Sequence, residues 1–346
     1  MSSKELQLAA VRGRTGWIIS DGKAGHEAQG RGIFEAMGLD YAIKHIRPGR
    51  LQQILSPYAP VAGRERFGEA GSAFAPPWPD FAVAAGRLTV PYIRALKRHA
   101  GRATYTVILQ DPKVPLSTAD LFWMPEHDRK RGANVVTTLV PPHGFSPDRL
   151  TTVRALPPPA GFQNLPRPWV AVLVGGNGSS YRFTDGDAAR LAAALRSIGA
   201  LGASLLVTPS RRTPAPLLAA IARAIADVPH FLWDGTGDNP YPALLAHADR
   251  FVVTADSVNM CSEPAVTGRP IHLFTPTGGS AKFARYHAAL TQHGAVRPLP
   301  DRVTGLDEWS YVPLYAAADI ALAVAERWGR RRAMLSDAKA PSSKQD

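Results

Sequence analysis

Residues 250–274 read RFVVTADSVNMCSEPAVTGRPIHLF. The first five form a short apolar run with two β-branched valines, which predicts a buried strand. A polar loop follows, and a helix is expected to start near Ser257, whose hydroxyl suits an N-cap. Gly268-Arg269-Pro270 then turns the chain into a second apolar run, residues 271–274. Strand, helix and strand in that order make a βαβ unit, in which the two strands run parallel. The alternation continues outward in both directions. Apolar runs at 16–20, 81–85, 105–110, 121–124, 135–138, 169–174, 204–208 and 230–233 read as further strands, many followed by helical patterns. The fold class predicted is α/β, with two Rossmann-like, doubly wound parallel-sheet domains facing an interdomain cleft.

The domain boundaries come from composition. A length of 346 residues favours two domains at roughly 150 residues each. The Pro-rich segment 154–168, RALPPPAGFQNLPRP, reads as a linker, with a fresh strand directly after it. This predicts an N-terminal domain over 1–155, a linker over 156–168 and a second domain over 169–312. A helix over 313–332 returns to the first domain, and a disordered tail spans 333–346. Residues 49–79, rich in Gly, Pro and charge, are expected to be an ordered loop or insertion.

Charge and cysteine usage narrow the function classes. Forty Lys and Arg against 28 Asp and Glu leave a net charge of +12, of which residues 1–160 carry +8. A basic surface attracts phosphates, lipid headgroups or nucleotides. No RNP1-like segment, zinc finger or helix-turn-helix pattern is present, so a nucleic-acid partner is not expected. One cysteine, Cys261, excludes a disulfide framework and any multi-cysteine zinc site. No secretory signal and no apolar stretch of membrane-spanning length are visible. A cytoplasmic protein is expected, peripheral on the inner membrane face if its basic half meets anionic lipid. Arginines 327 and 330–332 read as a membrane patch or as a solvated helix end. No apolar stripe marks a dimer face, so the oligomeric state is left open.

Ligands of open α/β sheets bind beyond the C-terminal ends of strands. Five such loops hold unusual residues. In the first, Asp21, Lys23, Gly25, His26 and Gln29 surround a helix start, which suits an anion, with His26 a general base near neutral pH. The alternative there is a glycine turn in which His26 caps the helix. Gln110 and Asp111 follow a strongly apolar strand, as a site lip or an ordinary Asp-Pro turn. Gly175, Gly176, Asn177 and Ser179 open the second domain and suit a backbone nest for phosphate, without the GxGxxG order of a dinucleotide fingerprint. A helix should begin near Thr184 with Asp187 completing a capping box, so Asp185-Gly186-Asp187 is not a metal-binding motif. Arg211 and Arg212 form a phosphate clamp or a solvated turn. Around Ser257, the residues Asp256, Asn259 and Met260 suit a pyrophosphate. Glu263 can accept two hydrogen bonds from a ribose diol; the alternative is a capped helix with a buried glutamate. Cys261 reads as a packing residue.

DGKAGHEAQ, ILQDP, LVGGNGSSYRFT, VTPSRRTP and ADSVNMCSEPAVTGRP, in that order, resemble the ELM1-like family, named for a mitochondrial fission factor and including bacterial members. The resemblance covers about residues 16–330. More remotely the layout is similar to GT-B glycosyltransferases of the lipid-linked MurG type. That similarity implies a metal-independent transferase moving a sugar from a nucleotide-diphosphate sugar to a lipid or envelope-glycan acceptor. Residues 175–179, 211–212 and 256–263 would hold the donor, with Glu263 at the ribose. His26, or Asp21 as second choice, would deprotonate the acceptor, and Lys23, Gly25, Gln29, Gln110 and Asp111 would line its site. No cofactor or metal is implied beyond the nucleotide sugar. The family name implies a non-catalytic membrane or partner adaptor instead, and the GT-B layout also includes nucleotide-sugar epimerases. The first loop departs from the GT-B pattern, being DGKAGH rather than a run of glycines, and no second acidic catalytic residue is identifiable.

Overall fold

The computed structural model describes residues 3–337, and the chain divides into two compact units, 1–144 with 316–346 and 145–315. Each is built on a six-stranded parallel sheet.

In the first unit, α1 (Ser3–Ala9) precedes β1 (Thr15–Ser20), α2 (Ala24–Met37), β2 (Asp40–His45) and the short α3 (Arg50–Leu55). Then come β3 (Phe81–Ala85), α4 (Val90–Ala100), β4 (Tyr105–Leu109), β5 (Leu121–Pro125) and β6 (Val135–Thr138). The strand order is β2-β1-β3-β4-β5-β6. Strands β3, β4 and β5 are buried along their whole length, as expected of strands covered on both faces. Helix α2 lies close on the sheet because its glycines permit it: a Cβ on Gly30 would touch Ile18 and Val83. Phe34 fills the space above Gly16. Gly38, left-handed at φ 67°, ends the helix, its N–H bonding back to Glu35 and Phe34. Trp17, Phe74, Tyr92, Leu96 and Phe122 fill one side of the core.

The second unit begins with α5 (Pro147–Ala155) and α6 (Ala160–Gln163) and continues through β7 (Trp169–Val174), β8 (Tyr181–Arg182), α7 (Asp185–Ala200) and β9 (Ser204–Pro209). It goes on with α8 (Ala215–Ile225), β10 (His230–Leu232), α9 (Tyr241–His247), β11 (Arg250–Thr254) and α10 (Val258–Ser262). It closes with β12 (Ile271–Phe274), β13 (Thr277–Gly278), α11 (Ala281–Gln292) and β14 (Val296–Pro298). The main sheet runs β10-β9-β7-β11-β12-β14, and β8 and β13 make a small antiparallel pair. This is the 3-2-1-4-5-6 order of the nucleotide-binding doubly wound fold. Thr184 caps α7 by accepting from Asp187 N–H at 3.2 Å, and Asp187 accepts from Thr184 N–H at 3.0 Å, the capping box the sequence predicts.

The unit boundary falls earlier than the predicted 155. Helix α5, assigned from sequence to the first domain, belongs to the second unit: Arg154 Nε donates to the Ala246 carbonyl at the end of α9 (2.8 Å). The predicted linker is ordered, with α6 inside it and Phe162 fully buried against Trp169 and Phe231. The last helix, α12 (Ala316–Asp337), counts with the first unit. Arg331 in it pairs with Asp120 (3.2 Å) and lies over the Tyr105 ring, so it is not a free membrane-facing cation. The helix runs to 337, into the predicted tail; positions 338–346 of that tail lie outside the described residues. No helix among the described residues is long and apolar enough to cross a membrane.

Candidate functional site

A parallel sheet offers a crevice where the strand order reverses, because the loops on either side leave in opposite directions. In the first unit that point lies between β1 and β3. The loop after β1 carries Asp21, whose side chain is 2% exposed and whose Oδ1 lies 3.0 Å from His26 Nδ1. Its Oδ2 accepts from Lys23 Nζ at 2.8 Å. Burial works to raise the Asp21 pKa, but the bonds from Lys23 and His26 outweigh it and hold the carboxyl below its ordinary value. His26 sits in the first turn of α2 rather than capping it; the N-cap is Lys23. With Nδ1 facing Asp21, the other ring nitrogen, Nε2, makes no hydrogen bond among the described residues. A carboxylate that orients an imidazole and leaves Nε2 open is the arrangement of a general base. Gly86, at the end of β3 with φ 85°, sets the ring's position: a Cβ there would stand 2.9 Å from His26 Cε1. Gly86 is not among the predicted site residues, although a glycine at a strand's C-terminal end is the signal that marks it.

Ser20 Oγ donates to Glu27 at 2.5 Å and accepts from Gly22 N–H at 2.9 Å, which fixes the loop. Gly25 lies in the first turn of α2. The buried Gln29 accepts from Gln110 Nε2 at 3.2 Å, so two predicted site residues meet. Gln110 holds a left-handed φ of 66°, uncommon for a residue with a side chain. Asp111 is tied to Lys113 and Lys130 at 2.9 Å each, and these bonds overcome burial to pull its pKa down to about 2.

In the second unit the order reverses between β7 and β11. Asp256, at the end of β11 with its side chain 1% exposed, is the hub. It accepts from Gly176 N–H (3.0 Å), Thr254 Oγ1 (2.7 Å) and Arg212 Nη2 (3.0 Å). Thr254 in turn accepts from Gly175 N–H at 2.8 Å. A Cβ on Gly175 would overlap the Asp256 carboxylate, and one on Gly176 the Arg212 carbonyl. The glycines are thus there for close packing. The three glycine N–H groups of the predicted phosphate nest are already engaged, Gly178 N–H included, which donates to the Tyr181 carbonyl at 3.0 Å. Asn177 accepts from Phe183 N–H at 2.8 Å. The predicted arginine clamp separates as well: Arg212 belongs to Asp256, while exposed Arg211 has no hydrogen-bond partner among the described residues. Ser179 is exposed beside this loop.

Ser257 caps α10, accepting from Met260 N–H at 3.3 Å, and the half-buried Asn259 presents an amide with no partner among the described residues. Cys261 is fully buried with its thiol pKa pushed up by burial, which fits packing and not nucleophilic attack. Glu263 accepts from the hydroxyl of Tyr241, a partner nothing in the sequence pattern marked. Burial raises the Glu263 pKa to about 7 against this bond. Among the described residues no group of three His, Cys, Asp or Glu side chains is arranged to hold a metal ion.

Two Rossmann-like units in one chain, each with its polar residues at a sheet switch point, define the GT-B class of fold. Two solved structures share it: S. aureus MnaA in its co-structure with UDP (10% identity, TM-score 0.51, 84% of each chain covered) and the spinosyn forosaminyltransferase SpnP (12% identity, TM-score 0.50, 92% of this chain and 94% of that one). At such identities the likeness concerns the fold alone. Within that class, the mitochondrial fission ELM1 model matches residues 24–328, and the chain belongs to that family. It is 29% identical over 266 residues to the mitochondrial fission protein ELM1 of Arabidopsis thaliana; the match covers 70% of this chain and 62% of the plant protein's length.

Proposed function

We propose that this protein is a glycosyltransferase that moves a sugar from a nucleoside-diphosphate sugar to a lipid or envelope-glycan acceptor at the cytoplasmic face of a membrane. The observation that carries this reading is the Asp21–His26 pair at 3.0 Å. An adaptor has no use for a buried carboxylate that aims an imidazole with its second nitrogen open. His26 Nε2 takes the proton of the acceptor hydroxyl as that oxygen bonds to the anomeric carbon. The bond from that carbon to the diphosphate breaks, and the diphosphate leaves with the electron pair. Asp21 orients the ring and stabilises the imidazolium that forms.

The donor is assigned to the second unit. Arg211, Ser179 and Asn259 are the side chains near its switch point with open hydrogen-bonding capacity, and they suit the diphosphate. Asp256 is a carboxylate and would repel phosphate; its part is to hold the glycine loop, Thr254 and Arg212 in place. Glu263 is assigned to the ribose, whose hydroxyls donate to it once it is ionised.

The test is a thermal-shift titration of the full chain with UDP, GDP, ADP and TDP. At a ligand concentration about a hundredfold above Kd, binding to the native state contributes about 2.7 kcal/mol. A rise in Tm with one diphosphate, reduced in Arg211→Ala, supports the assignment and names the base. No rise with any of them at millimolar concentration refutes it and favours the adaptor.

A further inference from the structure

We propose that residues 44–66 form a docking surface for an anionic lipid bilayer. Helix α3 is inverted. Leu51, Ile54 and Leu55 follow the i, i+3, i+4 spacing of an amphipathic stripe, which ordinarily faces a core, and Tyr58 stands just past the helix end. Here they are 68, 71, 52 and 68% exposed, a dense run of large apolar side chains in contact with solvent. The polar side chains hold the segment down instead. Gln52 Oε1 accepts from Gly49 N–H (2.8 Å), Gln53 Nε2 donates to the Pro48 carbonyl (3.1 Å), and Arg87 and Arg94 donate to the Ser56 and Pro57 carbonyls (3.2 and 2.8 Å). The apolar face is therefore presented outward by a fixed backbone.

Directly before this helix the chain lines a cleft of about 580 Å³, whose charged wall is Lys44, His45, Arg47, Arg64, Glu65 and Arg66. Glu65, the carboxylate among them, is occupied by Arg47 N–H (2.7 Å) and the Tyr92 hydroxyl (3.0 Å). Lys44 and Arg47 have no carboxylate partner among the described residues; Lys44 rests over the Trp17 ring. Exposed apolar side chains rimmed by unneutralised cations match the acyl boundary and the headgroups of an anionic membrane. A second copy meeting this patch across a two-fold axis would set cation against cation. Only the acceptor's location in the transfer reading is deepened here, and membrane binding is measured without any transfer.

The experiment is co-sedimentation of the full chain with vesicles of phosphatidylcholine alone or mixed with phosphatidylglycerol. Partition onto the anionic vesicles is expected to be at least tenfold stronger, and to weaken as salt rises. Leu51→Gln with Ile54→Gln and Leu55→Gln should lower it at least tenfold. Lys44→Ser with Arg47→Ser should do the same, at roughly fivefold per cation, whereas Arg66, already paired with Glu69 at 2.7 Å, contributes less. Val312→Gln, an exposed apolar position in the second unit, should leave it unchanged. Circular dichroism and Tm confirm folding; if the triple variant misfolds, the Lys44 and Arg47 pair decides. Equal binding to both vesicles, binding by the variants equal to that of the wild type, or a wild-type dimer that the triple variant dissociates would overturn the proposal. The same variants titrated with nucleotide keep their Tm shifts if the transfer reading holds, so each can fail alone.

Discussion

Replacing Glu263 with Gln should make the protein more stable at alkaline pH and leave it unchanged in acid. Burial raises this carboxyl from 4.5 to about 7, while the Tyr241 hydroxyl donates to it. A raised carboxyl means that the folded state prefers the protonated form. Its contribution is fully present below 4.5, the unfolded value, and is lost as pH rises through about 7. The gap between 4.5 and about 7, at about 1.4 kcal/mol for each tenfold change in proton affinity, comes to about 3 kcal/mol. Gln keeps the acceptor oxygen for Tyr241 and has no charge to desolvate, so it imitates the protonated acid at every pH. Thermal unfolding at pH 5 and pH 8 is the assay. The two proteins should melt together near pH 5, and the variant should melt higher near pH 8, by roughly 6–12 °C for a unit of this size. If the variant tracks the wild type at both pH values, Glu263 ionises in the folded protein as it does in water, and its burial has no energetic consequence. If the variant is less stable at both, the carboxylate makes bonds that an amide does not reproduce, and the ionised form is the folded one.

Two further outcomes follow from the hydrogen bonding. Asp21→Asn should lower the transfer rate by about 10²–10⁴-fold with little change in nucleotide Kd, because it withdraws the charge that stabilises protonated His26; an equal fall in donor affinity, measured by titration calorimetry, would instead place Asp21 in donor binding. Asp187→Ala should cost about 1–2 kcal/mol in urea unfolding, because it removes the acceptor for the N–H groups of Thr184 and Thr277 (3.0 Å each). A loss under about 0.5 kcal/mol would mean that the capping box is redundant with the packing of α7.

The strands most plainly legible in the sequence are those whose two faces are both covered. Such strands must be apolar at every position, so VAVLV at 170–174 or YTVIL at 105–109 shows without any periodicity. Of the four edge strands of the two main sheets, β6 and β10 show as short apolar runs and the other two do not. Residues 40–45, DYAIKH, form β2 with a half-exposed pattern, and 296–298, VRP, form β14 with a proline at its end. There the hydrogen-bonded neighbour, not composition, makes the strand, and the neighbour is remote in sequence. The same limit explains the boundary at 145. Pro-rich segments signal a linker through their local stiffness, but residues 147–168 bury Leu150 and Phe162, and that burial is a tertiary fact. The capping box at Thr184 was readable because both its partners lie within one helical turn.

The candidate site divides along the same line. Asp21, Lys23 and His26 sit within six residues, and their mutual bonding follows from the turn that Gly22 makes at φ 82°. The glycine loop at 175–178 was readable as a place where backbone must come close, but not as to what comes close. Glycine frees its N–H and also removes a Cβ, and sequence alone favours neither consequence. The structure separates them: the Asp256 carboxylate occupies the volume that a Cβ would take at Gly175, and the Gly176 N–H bonds to it. Because Asp256 also takes Arg212, the two arginines that look equivalent in sequence differ in charge balance, one neutralised and one open. An anion arriving at this end of the sheet therefore meets Arg211 with its charge uncompensated, while Asp256 keeps its own negative charge masked by Arg212, Thr254 and the glycine amide. A site built this way admits phosphate only if the mask holds. Removing Arg212 should thus weaken nucleotide binding more than removing Arg211, since it deletes a cation and at the same time uncovers a buried carboxylate beside the ligand.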